Sequence, residues 1–558
     1  MDKLKEKTKS YLLPLIKNKN FEKIEELILS LNDDEKNNAF LLNLLGVSKL
    51  SKKSLNREVA KKEALEAQNL FKIAYKKDNF FLDALFNFAE TCLKTLVYED
   101  ILELLTKHLK KVSYDFRTSF LLARINFQLG KVDAAINLYE KIIEKKDATP
   151  SVWKNLIFIF NYSSTYDQKK YINLCKQYIE TIKETNTLSF NDNKKNKTSR
   201  KKRIGFFSVD LRQHSVSNFL TNTIKELNVN NFETIAFNLT NPNFEDSKTT
   251  ELKSLFKEWY DIHALSDIDA VNLIRKNDID ILFDLVGYTG GSKLELFKNR
   301  SAPIQISWIG YTNTTGLDEM DYIIVDPYVL SSDKYYSEKL LQLPNIWSCH
   351  SAINEEIKIT DLPALKNEYV SFGSFNNFSK ISEQTIDIWS ELLLNIKSKL
   401  ILKTSHFQNE AGIDILMNKF KEKGIKLKNI EFLKRTENYR DHLKSYNKID
   451  IALDTFPYNG ATTSFESLWM GVPVLTIKGE TFNSRYGYSI NKNLNLEEFI
   501  ALDKEDFINK AKSNLSNLKD LNQLRKELRK KVLSSPLFDN YSFNKAFIKK
   551  INSLLKEK

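Results

Sequence analysis

The sequence predicts an α plus α/β protein: helical repeats followed by two doubly wound domains, each with a parallel sheet. Three observations carry this. Apolar positions recur at helical spacing from the N-terminus to about Ile182. From Ile204 onward, short apolar runs alternate with amphipathic segments. Those runs form two sets, joined near Trp347 to Tyr369. At 558 residues the chain is also too long for a single hydrophobic core. The expected divisions are a helical region at 1–184, a linker at 185–202, a first α/β half at 203–350 and a second at 351–558.

In the helical region, "LDALFNFAETCLKTLVYEDILELL" from Leu82 overlays "RTSFLLARINFQLGKVDAAINLYEKII" from Arg117 at an offset of 34 residues. Ala89 then meets Ala123, Leu93 meets Phe127, and Leu102 meets Ile136. The second copy has small Ala123 and Ala135 where helices approach, Gly130 at the turn and Pro150 opening the next unit. This region resembles the tetratricopeptide (TPR) repeat family, whose helix pairs have that period, and the resemblance implies a groove for a protein partner. Leu45-Gly46 reads as a trace of an earlier unit. The stretch "TNTLSFNDNKKNKTSRKKR" then loses its apolar period and reads as a basic, polar linker.

The first α/β set is "RIGFFSVDL", "ETIAFNL", "IDILFDLVGYTG", "IQISWIGY" and "MDYIIVD"; the second is "EYVSFGSFN", "SKLILKTS", "NIEFL", "KIDIALDT" and "PVLTI". Apolar runs separated by helices imply parallel sheets covered on both faces, hence two Rossmann-like domains across a cleft. Ligands of such sheets bind beyond the carboxyl ends of the strands.

At those ends lie polar loops. His214 follows the first strand, as a surface cap or a catalytic group. "YTGGSKLELF" carries Gly290-Gly291 with Ser292 as a helix cap, and "YTNTTGLDEM" carries Gly316. In the second set, Asn376, Asn377 and Lys380 follow a strand, and a lysine there can neutralise a phosphate as a point charge. In "DTFPYNGATTSFESLWMGVP", Thr462, Thr463 and Ser464 stand at a helix start, where free N–H groups favour an anion. Glu466 lies in the first turn, as a dipole partner or a ribose acceptor.

Composition excludes several classes. Cys92, Cys175 and Cys349 are widely spaced, with no C-x-x-C pair, and read as reduced thiols of a cytoplasmic protein. No segment approaches a membrane span, and no signal peptide is recognisable. The net charge of +12 is spread among interleaved acidic residues, so no nucleic-acid partner is expected. D-x-D spacing occurs at Asp267–Asp269 and Asp278–Asp280, but the first reads as a helix cap and the second as the lead into a buried strand.

Here the motifs reach a known family. "DILFDLVGYTGGSKLELFKNRSAPIQISWIGYTNTTGLDEMDYIIVD", "SFNNFSKISEQTIDIWSELL" and "IALDTFPYNGATTSFESLWMGVPVLTIKGETFNSR" resemble the catalytic region of the O-linked N-acetylglucosamine transferase family, which includes SPINDLY-type fucosyltransferases. The resemblance runs from about Arg203 to the C-terminus, and it implies a GT-B glycosyltransferase behind TPR repeats. It implies His214 as a catalytic or acceptor-positioning group, Lys380 on the donor diphosphate with Asn377 beside it, Thr462 and Thr463 on phosphate, and Glu466 on the ribose. It further implies transfer, with inversion, from a nucleotide sugar, UDP-GlcNAc first, to Ser or Thr of a protein bound by the repeats; the alternative is GDP-fucose or another nucleotide sugar, or a non-protein glycan as acceptor. No cofactor or metal is expected, because Lys380 and the helix start supply the phosphate charge. A third possibility is an adaptor without turnover. The chain departs from the family at Ala461, where a His often precedes the Thr pair, at Thr312-Asn313 in place of Pro-Gly, and in lacking a clear base-binding lysine near "RTENYRDHLKSY".

Overall fold

The structure, a computed structural model, describes residues 6–52, 57–98, 100–183, 200–408 and 410–557. Those residues form two compact units, one from within 1–147 together with 408–415, the other from within 148–407 together with 416–558. Among the described residues no helix is long and apolar enough to cross a membrane.

In the first unit, the helices Leu82–Thr95 and Phe116–Gln128 begin 34 residues apart, the interval read from the sequence. Each pairs with the helix that follows it, Ile101–Val112 and Val132–Glu144. Asp115 starts the second pair by accepting from the Thr118 N–H at 2.7 Å, and Gly130 makes its turn at φ 68°. Ala89 and Ala123 are fully buried where the helices approach. Gly46, in the helix Ala39–Ser51, lies where a Cβ would stand 2.6 Å from the Phe71 ring. These are TPR-like hairpins, as expected.

The second unit opens with another helix pair, Pro150–Phe160 and Gln168–Lys183, again 34 residues beyond the preceding repeat. The expected boundary at 184 therefore falls after, not before, helices that pack with the sheets. The reason is their apolar face: Tyr178 meets Tyr288 edge-on at 6.0 Å, and Cys175 packs against Gly316. Of the expected linker, 185–199 lie outside the described residues, and Lys202 already belongs to the first strand.

The first sheet has seven parallel strands: β1 (Lys202–Ser208), β2 (Phe232–Asn238), β3 (Glu258–Asp261), β4 (Ile281–Asp284), β5 (Ile304–Ser307), β6 (Tyr322–Val325) and β7 (Lys339–Gln342), in the order β3-β2-β1-β4-β5-β6-β7. The second has six: β8 (Val370–Ser374), β9 (Ser398–Lys403), β10 (Ile430–Leu433), β11 (Ile451–Leu453), β12 (Val474–Ile477) and β13 (Ile500–Ala501), in the order β10-β9-β8-β11-β12-β13. Each order reverses beside its first strand, the switch point where such sheets open a crevice. Strands β4 and β5 are buried along their whole length, as parallel strands covered by helices should be.

The final helix, Asn540–Glu557, returns to the first sheet, where Phe547 lies 5.6 Å from Phe283 and 5.0 Å from Trp308. The second half expected at 351–558 thus lends its last helix to the first.

Two loop expectations change. Ser292 caps no helix: Lys293 precedes the helix Leu294–Lys298, and the Ser292 hydroxyl is buried without a partner. The Thr312–Gly316 loop, polar and with a Gly316 that reads as flexible, is packed. Thr314 and Thr315 donate their hydroxyls to Glu338 at 2.6 and 2.5 Å, and the Thr315 N–H donates to it at 2.6 Å. Gly316 has φ +75°, and a Cβ there would stand 2.6 Å from Cys175. Gly316→Ala should therefore cost about 2–4 kcal/mol, left-handed strain plus overpacking, whereas Gly290→Ala, whose Cβ meets nothing within 4 Å, should change stability little. Urea unfolding of both variants checks the contrast.

Candidate active site

The second sheet gathers one set of groups at its carboxyl edge. Asp454 follows β11 and is buried. Its Oδ1 accepts from the Thr455 N–H at 2.9 Å and the Gly460 N–H at 2.7 Å, and its Oδ2 from the Thr476 hydroxyl at 2.8 Å. The loop between is thereby folded back on the strand. Asn459, fully buried, ties it further, donating its amide to the Thr455 carbonyl at 2.7 Å.

Lys380, half-buried at the end of a short turn after β8, reaches this loop. Its Nζ donates to the Asn459 carbonyl at 2.7 Å and lies 4.4 Å from the Tyr458 ring centroid. Burial pushes the ammonium down to about 8, while the Asp454 carboxylate pulls the other way. Burial likewise raises the Asp454 carboxyl to about 6, against the hydrogen bonds from Gly460 and Thr476 and the charge of Lys380. At neutral pH both groups are charged.

The helix Thr462–Trp469 starts directly after this loop, and no side chain caps it, because Ala461 stands at the cap position. Its first N–H groups are open to an anion. Gly460 makes the close turn possible: a Cβ there would stand 2.6 Å from Thr463 Oγ1 and 2.7 Å from Asn376 Oδ1. The demand for glycine at this position is one of space.

Thr462, Thr463 and Lys380 thus come to one loop-and-helix corner. Asn377 is exposed, and its Oδ1 accepts from the Ser379 N–H of its own turn at 3.4 Å. Buried Asn376 is the asparagine built into the corner, accepting the Thr463 hydroxyl at 2.9 Å.

Glu466 is buried one turn into the helix, and its Oε2 lies 3.1 Å from His442 Nε2 and accepts the Tyr446 hydroxyl at 3.2 Å. His442 and Tyr446 come from the segment after β10, within the stretch that lacks a recognisable base-binding lysine. Lys403, at the buried end of β9, lies 3.1 Å from His442 Nδ1 and donates to Ser445 Oγ at 3.0 Å. Burial pushes it down to about 8 as well. A lysine ending an apolar strand run was the available signal for Lys403. No local signal joined His442 to Glu466.

From the first sheet, His214 sits after β1 as the cap of the helix Ser215–Val229. Its Nδ1 accepts from the Val216 N–H at 3.3 Å and lies 3.5 Å from Asp210. The cap reading of His214 holds in this side chain. Burial lowers its pKa, Asp210 opposes that, and the ring is neutral at pH 7. With Nδ1 accepting, the proton stands on Nε2. One turn on, Phe219 packs 5.2 Å from Phe465, so the His214 helix and the Thr462 helix meet within their first turns.

A protein-family model described as glycosyl transferase family 41 matches residues 135–353 and 352–547. The chain belongs to glycosyl transferase family 41. Its relatives include a protein of Solanum lycopersicum named probable UDP-N-acetylglucosamine–peptide N-acetylglucosaminyltransferase SPINDLY, 32% identical over 349 residues, or 61% of this chain and 37% of that one. Another, named SEC, from Arabidopsis thaliana, is 28% identical over 350 residues, covering 60% and 35%. The chain thus spans little more than a third of the length of these curated relatives. Among solved structures, a mutant of the Thermobaculum terrenum O-GlcNAc transferase matches with a TM-score of 0.80 and 26% identity, over 89% of this chain and 95% of that one.

In this family 41 chain the D-x-D matches serve locally. Ser266 caps the helix at Asp267 and donates its hydroxyl to Asp269 at 2.6 Å. Asp280 lies at the amino end of β4, tied to Arg200 at 2.7 Å and to the Arg203 N–H at 2.8 Å.

The electrostatics give a pH prediction. A nucleoside diphosphate should bind with an affinity that falls about tenfold as pH rises through about 8 and Lys380 deprotonates. Asp454→Asn removes the charge that favours the ammonium and should move that midpoint to lower pH. Calorimetric titrations with UDP and GDP, between about pH 7 and about pH 10, check both.

Proposed function

We propose that the chain is an inverting glycosyltransferase that moves a sugar from a nucleotide diphosphate, UDP-GlcNAc first, to a Ser or Thr hydroxyl of a protein held by the helical repeats. The observation carrying this is the corner where half-buried Lys380 meets an uncapped helix start. That pair supplies positive potential where a leaving diphosphate gains charge, the kind of preorganised stabilisation that dominates many enzymes. The names of the plant relatives, together with family membership, favour UDP-GlcNAc as donor and protein as acceptor.

In this reading an acceptor oxygen attacks the anomeric carbon as the bond from that carbon to the diphosphate oxygen breaks. The electron pair leaves on the diphosphate, and the acceptor proton passes to water. His214 orients the acceptor hydroxyl from the opposite wall. Thr462 and Thr463 meet the phosphates through the helix start, Asn376 holds Thr463 in place there, and Glu466, held by His442 and Tyr446, faces the ribose. Lys380 and the helix dipole provide the counter-charge, so the reaction is expected to proceed without a metal or other cofactor.

Lys380→Ala should lower kcat about 10²–10³-fold and donor affinity by less than about threefold, because the full charge develops only as the bond breaks. Glu466→Ala should show the reverse balance, weakening donor binding. His214→Ala should abolish transfer with nucleotide affinity unchanged. Turnover should persist in EDTA. These rates, measured with UDP-GlcNAc and GDP-fucose side by side, decide the donor; turnover with GDP-fucose alone would replace UDP-GlcNAc. Failure of both nucleotides to bind, with Lys380→Ala inert, would make the protein an adaptor.

A further inference from the structure

Between the helix pair and the sheets lies a turn that the reaction, as described, does not use. Asn161 ends the helix Pro150–Phe160 and is buried. Its Oδ1 accepts two amides at 2.8 Å each, one from Asn313 in the first α/β half and one from Asn483 in the second. Its Nδ2 donates to the Ile157 carbonyl at 3.0 Å and to the Tyr311 hydroxyl at 3.1 Å. One side chain thus joins the helical segment to both halves, with every polar atom satisfied.

The next residue, Tyr162, is buried and stacks on Tyr458 with ring centroids 4.4 Å apart and planes inclined by 23°. Tyr458 is the ring beside which the Lys380 ammonium rests, one residue before the carbonyl that accepts from it. Tyr458 also packs edge-on to Tyr486, whose hydroxyl meets Thr312 of the first half. The ring that seats the lysine is therefore fixed from the helical segment and from both sheets.

We infer that Tyr162 is a positioning residue for Lys380: by stacking on Tyr458 it holds the ring and the Asn459 carbonyl that seat the ammonium at the diphosphate corner. The inference rests on the proposed role of Lys380. Helices that read as a partner-binding array thus complete the donor site.

The test uses the full chain and three variants, Tyr162→Phe, Tyr162→Leu and Tyr162→Ala. The first readout is acetylation of Lys380 by acetic anhydride as a function of pH, followed by peptide mass spectrometry; it needs no turnover. In the unaltered protein the midpoint should lie near 8. Leu and Ala lack the flat ring that holds Tyr458, so the loop loosens, water reaches the lysine and the midpoint should rise by about one pH unit or more, while Phe, which keeps the stack, should leave it in place. The second readout is kcat, which should fall about tenfold to a hundredfold in Leu and Ala and recover in Phe, as a loosened catalytic group predicts. Leucine keeps the site filled, so the Phe and Leu pair decides the matter even if the alanine variant fails to fold. An unchanged Lys380 midpoint in Leu, or an equal loss in Phe and Leu, overturns the inference. If the midpoint shifts as expected while the unaltered protein turns over no donor, the proposed function fails and the positioning role stands.

Discussion

Asp454 leaves β11 with its carboxylate buried, held by two backbone N–H groups and the Thr476 hydroxyl, and the geometry of the Lys380 corner follows from it. A buried carboxylate is costly unless its oxygens are satisfied. Satisfying them requires the chain to curl back so that the Gly460 N–H points at Oδ1. That curl turns the Asn459 carbonyl toward Lys380 and starts a helix at Thr462 without a side-chain cap. It also brings Gly460 so close to Thr463 and Asn376 that no larger residue fits. The Asp454 charge, in turn, keeps Lys380 protonated despite its burial.

The two sheets share one strand order and carry different groups at their edges. The second sheet carries the charged corner, and the first contributes His214 at the start of the helix that packs on the Thr462 helix through Phe219 and Phe465. Their relative placement does not rest on the sheets alone. Segment 346–351 runs beside the His214 helix, with the Ser351 N–H donating to the Asn218 carbonyl at 2.7 Å. The last helix returns to Phe283 and Trp308, and Asn161 ties both halves to the helix pair. The arrangement is a cleft whose walls are cross-braced from outside both sheets.

Most of the architecture was legible because its signals are local. Strands such as β4 and β11 are short apolar runs, buried on both faces, and the repeats announce themselves by period. The strands left unread lack that signal: β3 is half-exposed and carries Glu258 and Asp261, β7 mixes Lys339 and Gln342 with its leucines, and β13 has two residues. At the site, Lys380, Thr462 and Thr463 were legible from their place after a strand. Asn376 and Asn377 are alike in sequence, and only the fold turns the first inward and the second out. The packing of the Thr312–Gly316 loop was not legible because Glu338, which accepts from the Thr314 and Thr315 hydroxyls, lies more than twenty residues away in the chain. Contacts of that range, like Tyr162 on Tyr458 or His442 beside Glu466, leave no periodic or local trace.

The central claim is that the corner of Lys380, Thr462 and Thr463 is a diphosphate site. A crystal structure of the full chain with bound UDP, and one with GDP, tests it most directly. The account predicts the terminal phosphate within hydrogen-bond distance of Lys380 Nζ, with the Asn459 carbonyl released, and the phosphates on the N–H groups of Thr462 and Thr463. A diphosphate bound elsewhere, with Lys380 still on the Asn459 carbonyl, would contradict it.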